Sequence, residues 1–377
     1  MPHKTIQDDL NRWLYMLISA EGADLHVKSN SPLYARVKSD IVKLSEEQPT
    51  DDAMYQLVEL LTHGDIETFK KKRDFDGAYK LDEQYRFRFN IFMHVNGISI
   101  AFRLIPDVIQ TLEDLNLPPA MAKLSDLRRG LVLVTGTTGS GKTTTLATII
   151  EMINQKHPRH IITIEDPVEY VFHDKKSIIE QRELGTHTLS FAKALRAAMR
   201  EDPDIIMVGE IRDLATAEAI IQAVNTGHLV FSTVHTLNAQ ETIDRLVGLF
   251  PTNEQNRVRQ VLAGTLQATI SQRLIEGTDG RMIPAVEMMF KSPLVQELIR
   301  SKRDNELPDA IAKEGTMYDS ITFDTALFHL TLADKITEER AYQYATSPAD
   351  LKLMFTLSPE YTAKKNIEEE EIVFKGE

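Results

Sequence analysis

Apolar residues near the start of the chain recur at helical spacing: Ile6, Leu10, Trp13, Leu14 and Leu17, with Gln7, Asp8, Asp9 and Arg12 between them. A stripe of that period predicts an amphipathic helix; packing on its own domain is favoured over a partner- or membrane-facing role, and Gly22 is expected to end it. The period then shortens. Residues 23–27, 33–37 and 41–44 read as short strands, and residues 51–61 and 65–72 as helices. From Tyr85 to Phe92 the alternation is strict, with Tyr85, Phe87, Phe89 and Ile91 on one face and Arg86, Arg88, Asn90 and Phe92 on the other. Residues 98–105 supply the partner strand through Val95, Asn96 and Gly97, a hairpin signal. Residues 1–105 therefore read as a small α+β domain.

Pro106 breaks this pattern, and a linker spans 106–119, closing on Pro118 and Pro119. Beyond it, apolar strands at 131–135, 161–164, 205–208 and 229–233 alternate with helical stretches. That alternation marks a mostly parallel sheet covered by helices and assigns 120–285 to an α/β core. After about residue 285 the pattern turns mostly helical, with helices at 293–300, 323–330 and 338–344 in a subdomain covering 286–355. The acidic stretch 356–377 is expected to fray.

The strand at 131–135 runs into Gly136-Thr137-Thr138-Gly139-Ser140-Gly141-Lys142-Thr143-Thr144, which fits G-x-x-x-x-G-K-[ST] and opens a helix expected over 143–154. The physical logic is specific. Glycines let backbone N–H groups turn inward around phosphates, and the helix N-terminus adds partial positive charge. Lys142 is placed to reach the β- and γ-phosphates and the Thr143 hydroxyl to ligate Mg²⁺. The expected ligands are therefore a nucleoside triphosphate and Mg²⁺.

Such a loop needs carboxylates at the same sheet edge, and two apolar strands end in them. Residues 204–210 close on Glu210, assigned as the base or water-orienting group, and residues 161–166 close on Glu165 and Asp166. In a parallel sheet these ends converge. Glu165 is a second acid, acting on Mg²⁺ through water or sharing activation of the nucleophile. Glu210 is likewise expected to reach the metal only through water. Asp166 before Pro167 suits a turn or N-cap. His228 and His235 bracket the strand at 229–233 and are candidates for sensing the γ-phosphate.

Composition narrows the classes. The chain has 377 residues, enough for two or three domains, and a formal net charge of −13. An acidic chain without a basic, aromatic stripe is a poor match to a nucleic-acid backbone, so nucleic acid is not an expected partner. Cysteine is absent, which removes thiolate catalysis, disulfides and cysteine-based zinc sites. The first residues do not read as a signal peptide, and no stretch approaches ~20 apolar residues. A cytoplasmic location is expected.

Four blocks occur in order: GTTGSGKTTT at 136–145, ITIEDPVEY at 162–170, DPDIIMVGEIRD at 202–213 and GHLVFSTVHT at 227–236. They resemble the Walker A, Asp box, Walker B and His box of the secretion-type hexameric ATPases, with QREL at 181–184 and LRAAMREDPD at 195–204 between them. GADLHV at 22–27, YRFRFNIF from 85, FRLIP ending at 106 and LEDLNLPPAM at 112–121 resemble the twitching-motility, pilus-retraction branch. The likeness covers roughly 5–355. Thr137 departs from it, standing where the family usually has proline, and 293–303 follows the branch only loosely.

The resemblance implies that the triphosphate is ATP, and it implies a PAS-like N-terminal domain, a RecA-like ATPase domain and a homo-hexameric ring. It gives Arg86, Arg88 and Arg103 a reading as phosphate contacts, in part across subunits; by alternation alone they are the wet face of a hairpin. It also implies catalytic roles for Glu210, Glu165 and Lys142, a hinge at 106–119, and a motor peripheral to the inner face of the cytoplasmic membrane. The implied partners are a membrane platform protein and a paralogous retraction ATPase. Assembly and type II secretion motors of the family usually carry a four-cysteine zinc element and a longer N-terminal region, and this sequence has neither. An extension or secretion motor, a nucleic-acid translocase and an accessory ATP-binding switch are the alternatives weighed.

Overall fold

The first helix begins where a local hydrogen-bond exchange starts it. Thr5 Oγ1 accepts from the Asp8 amide at 3.2 Å while Asp8 accepts from the Thr5 amide at 2.8 Å, a capping box that satisfies two terminal donors. We describe residues 5–38, 40–82, 84–105 and 108–364 from a computed structural model. The chain forms two compact units, Met1–Val108 with Pro167–Val171, and Ile109–Asp166 with Phe172–Glu377.

In the first unit α1 (Ile6–Ser19) precedes β1 (Gly22–Lys28), β2 (Leu33–Val37), β3 (Asp40–Ser45), α2 (Asp51–Leu61), α3 (Ile66–Lys72), β4 (Asp74–Lys80), β5 (Arg86–His94) and β6 (Gly97–Ile105). The strands form an antiparallel sheet in the order β3-β2-β1-β6-β5-β4. The stripe on α1 buries Leu10, Trp13, Leu14 and Leu17 against Leu25, Val27, Phe87 and Phe102 of the sheet and Leu57 of α2. The helix ends at Ala20 and not at Gly22, which opens β1. Glycine serves there for close approach: a Cβ would lie 2.4 Å from the Leu17 side chain. β4 carries no clear alternation because it is an edge strand whose Gly77 lies against the Phe89 ring.

The second unit opens with a 3-10 helix (Pro119–Asp126) and β7 (Gly130–Thr135). There follow α4 (Lys142–Lys156), β8 (His160–Glu165), β9 (Ile178–Glu183), α5 (Phe191–Ala198), β10 (Ile205–Val208), α6 (Leu214–Asn225), β11 (Leu229–Val234), α7 (Ala239–Gly248) and α8 (Thr252–Thr265). It continues through β12 (Leu266–Glu276), β13 (Met282–Phe290), α9 (Pro293–Arg300), α10 (Leu307–Tyr318), α11 (Phe323–Leu332), α12 (Glu338–Tyr344) and α13 (Pro348–Leu357). The sheet order is β13-β12-β7-β11-β10-β8-β9, parallel except for the β12–β13 hairpin.

The central strands are apolar along their whole length because helices cover both faces. Leu131, Ile162, Ile206 and Val230 meet Leu195, Ile220 and Ile243 in one core. The hairpin corrects the helical texture expected from residue 286: β13 runs to Phe290. Its run Ala285-Val286-Glu287-Met288-Met289 is buried on both faces and so shows no alternation, and Pro284 is tolerated because β13 is an edge strand. A smaller core joins Ile275 and Ala285 of the hairpin to Phe323, Leu327, Ala341 and Phe355 of the last helices. Of the stretch 356–377 expected to fray, residues 356–364 are described and are ordered instead, with Tyr361 packed against that core; residues 365–377 and the linker's Pro106 and Asp107 lie outside the described residues. Among those described, no helix is long and apolar enough to cross a membrane.

Candidate nucleotide-binding site

β7 delivers its last residue, Thr135, to the C-terminal edge of the sheet, and the loop 136–141 turns there into α4. Two glycines define this turn. A Cβ on Gly136 (φ 144°) would fall 2.4 Å from Ser140 Oγ and 2.5 Å from the Gln272 carbonyl oxygen. Gly141, at the N-cap with φ 88°, brings no side chain to the first amides of α4. Those amides and the helix dipole suit an anion. Lys142 is buried and its Nζ donates to the carbonyl oxygens of Gly136 at 2.9 Å and Thr137 at 2.8 Å. The ammonium is thus stored against the loop it closes. Thr143 and Thr144 follow in the first turn, half-buried. A buried cation, turned amides and an adjacent hydroxyl fit a polyphosphate with its Mg²⁺.

Register fixes the other groups at the same edge. Thr135 pairs with Val234, Ser232 with Val208, and Val208 with Ile164, so Gly136, His235, Glu210 and Glu165 all emerge from C-terminal strand ends. The backbone around Glu210 is pinned on both sides. The Gly209 amide donates to Ile164 O at 2.8 Å, and the Ile211 amide to Thr233 O at 3.0 Å. The Thr233 hydroxyl donates to Gly209 O at 2.7 Å. Glu210 is 9% exposed, pairs with Arg212, and has His235 Nε2 at 3.3 Å. The Glu210 carboxylate raises the Arg212 pKa, opposed by partial burial; Arg212 also lies 3.5 Å from Asp166. Glu165, 4% exposed, accepts from the Thr163 hydroxyl at 2.5 Å and from Gln181 Nε2 at 3.1 Å.

One expectation is corrected. His228 precedes β11, and its neighbour Leu229 pairs with Gly130 at the start of β7. It therefore sits at the N-terminal edge of the sheet, a whole strand, about 20 Å, from the phosphate loop. Its Nδ1 lies 3.1 Å from both Thr226 Oγ1 and Ala223 O, at the end of α6. Flanking one strand put the two histidines at opposite edges, so only His235 joins the site.

The arginines lie within the first unit. Arg103 pairs with Arg88 across β6 and β5 and with Asp24 across β6 and β1. Asp24, 6% exposed, accepts from Arg103 Nε at 2.6 Å and Nη2 at 3.2 Å, and Arg36 lies 3.7 Å away. Bonding to Asp24 raises the Arg103 pKa. Arg88 lies 3.8 Å from Glu169, and Arg86 Nε is buried without a hydrogen-bond partner among the described residues. The result is a cross-strand row of arginines around one buried carboxylate. Sequence reading missed Asp24 and Arg212. Arg212 was recoverable from its two-residue spacing after Glu210; Asp24 is an ordinary strand residue until β1 pairs with β6.

The chain matches the family described as Type II/IV secretion system protein over residues 2–302. It is 38% identical over 346 residues to the type IV pilus retraction ATPase PilT of Pseudomonas aeruginosa, spanning 90% of this chain and 99% of that protein. To the type IV pilus ATPase PilU of the same organism it is 33% identical, spanning 94% and 93%. A crystal structure of the pilus retraction motor PilT with bound ADP superposes with a TM-score of 0.84 at 38% identity, covering 91% of this chain and 98% of that one. With the phosphate loop and its acids at one sheet edge, these likenesses lead to one conclusion: the chain belongs to the type II/IV secretion system protein family, within its pilus-retraction ATPase branch.

Proposed function

We propose that this chain hydrolyses Mg-ATP as a ring of six identical copies and uses the work to disassemble a type IV pilus, driving retraction and twitching motility. The observation that carries the reading is the meeting of the phosphate loop with Glu210 and Glu165 at one sheet edge. It is supported by likeness to PilT over 99% of that protein's length. Greater identity to PilT than to PilU favours the motor over the accessory role.

Lys142 leaves its carbonyl partners for the β- and γ-phosphates, and the loop amides hold their oxygens. Thr143, with Glu165 and Glu210 acting through water, would hold Mg²⁺, which when bound would offset charge on the phosphate oxygens. Glu210 takes the proton of the attacking water, an assignment suited to a carboxylate whose backbone is pinned on both sides. His235 holds Glu210 and reports the γ-phosphate. Arg86, Arg88 and Arg103 contact phosphates, in part from a neighbouring copy, where a planar fork suits the ligand. The partners are a membrane platform protein, which keeps the motor at the inner face of the cytoplasmic membrane, and a paralogous retraction ATPase.

The test is steady-state Mg-ATP hydrolysis against protein concentration, with Glu210→Gln alongside. Turnover should rise cooperatively with concentration, and the variant should lose about 10²–10⁴-fold in kcat while still binding nucleotide. Background turnover by the wild type at every concentration, with nucleotide bound, would replace the motor by a non-hydrolysing switch.

A further inference from the structure

We propose that Gln272 is a positioning residue for the phosphate loop, and that with Arg273 it makes β12 the strand through which nucleotide occupancy reaches the C-terminal helices. This rests on the reading of 136–144 as a nucleotide site. Gln272 lies outside every motif that carries that reading.

The placement comes from strand register. Ser271 pairs with Thr135, the last residue of β7, so Gln272 stands level with the first residue of the phosphate loop. Its carbonyl oxygen closes on Gly136, where a Cβ would meet it at 2.5 Å. Its side chain, 2% exposed, donates from Nε2 to Thr145 Oγ1 at 2.9 Å. Thr145 is itself 2% exposed and lies one turn into α4, directly after the phosphate-facing residues. One residue therefore touches both ends of the loop: its backbone bounds the entry from β7 and its side chain fixes the rotation of the first turn of α4.

The chemistry is costly for a residue that only fills space. Gln272 Oε1 is buried without a hydrogen-bond partner among the described residues, and a leucine of similar volume would avoid that loss. A half-satisfied buried amide is better explained by what its donor positions.

The next residue points the other way, as strand geometry requires. The Arg273 guanidinium lies 3.8 Å from the centre of the Phe323 ring on α11, and its Nη1 donates to Tyr344 O at the end of α12 at 2.9 Å. Ile275, on the same face as Arg273, enters the small core of those last helices. Two consecutive residues of β12 thus connect the phosphate loop to the helical subdomain with no intervening loop.

The experiment compares wild type, Gln272→Leu, Thr145→Val and the double variant, with Mg-ADP as the probe. Each single variant should bind Mg-ADP about fivefold more weakly, the effect of one buried neutral hydrogen bond. The rise in Tm on adding Mg-ADP should shrink accordingly. The double variant should bind no more weakly than either single, since removing both partners leaves no orphan. In the wild type, saturating Mg-ADP should slow amide hydrogen exchange in Glu338–Tyr344, and Gln272→Leu at saturation should lose that protection. If Gln272→Leu lowers Tm equally with and without Mg-ADP and leaves affinity unchanged, Gln272 only packs and the proposal is overturned. Unchanged exchange in Glu338–Tyr344 of the saturated wild type overturns the transmission through β12. Failure of the wild type to bind Mg-ADP would instead remove the nucleotide reading, and this inference with it.

Discussion

His235 Nε2 stands 3.3 Å from Glu210 Oε2, at the end of β11 opposite to His228. The two histidines should therefore behave differently. His235→Ala removes a contact to a charged group, worth roughly 1.5 kcal/mol, and should lower kcat about tenfold with little change in KM. His228→Ala loses only its contacts near the end of α6 and should keep kcat within about twofold, the exposed contact being worth about 1 kcal/mol or less of stability. Steady-state kinetics of the two variants checks this; equal losses would contradict the register argument.

Arg88 and Arg103 are both expected to serve turnover, but the row gives them different shares of stability. Arg103→Ala leaves the buried Asp24 carboxylate with the more distant Arg36, 3.7 Å away, and should cost about 1–3 kcal/mol of stability. Arg88 faces Glu169 at 3.8 Å with both side chains partly exposed, a pairing worth little, about 0–1 kcal/mol. Arg88→Ala should therefore unfold like the wild type yet lose at least about tenfold in turnover. Chemical denaturation alongside ATPase assays distinguishes the two. Loss of stability in Arg88→Ala, or normal turnover at high protein concentration, would refute its assignment to phosphate.

A pH test comes from β13. Glu287 accepts from the Ala239 amide at 2.8 Å at the start of α7, and burial raises its pKa above the ordinary value of 4.5, with the Ala239 amide and Arg273 pulling the other way. The folded chain thus holds this proton where the unfolded chain has released it. The associated stability is full below about pH 4.5 and declines as pH rises through the folded value, because the native state there binds more protons than the unfolded state. Glu287→Gln should remove that decline. Denaturation of both proteins at a series of pH values, read as their difference so that other groups cancel, checks it; parallel curves would refute it.

The candidate phosphate loop was legible as a turn into α4 because the chemistry it suits demands contiguous residues: the turn, Lys142 and Thr143 must follow one another along the chain. Glu210 was legible for a related reason, an apolar strand that ends in acid. His228 was misread because adjacency to a strand says nothing about which of its ends faces the loop. The hairpin of β12 and β13 was hidden by burial on both faces, which erases alternation, and β9 by its charges, Glu180, Arg182 and Glu183, on an edge strand. Asp24, Arg103 and Gln272 act through partners far away in sequence. Composition and period carry no record of such pairs.

The return of Pro167–Val171 to the first unit has a consequence for synthesis. About sixty residues separate that segment from Val108, and at about 5–20 residues per second it leaves the ribosome some 3–12 s later. The first unit's apolar core contains none of its residues, so nascent chain can build that core unaided. The Arg88–Glu169 pairing, by contrast, must wait until β8 has been translated. One arginine of the row thus meets its acid only after the ATPase unit has begun to emerge.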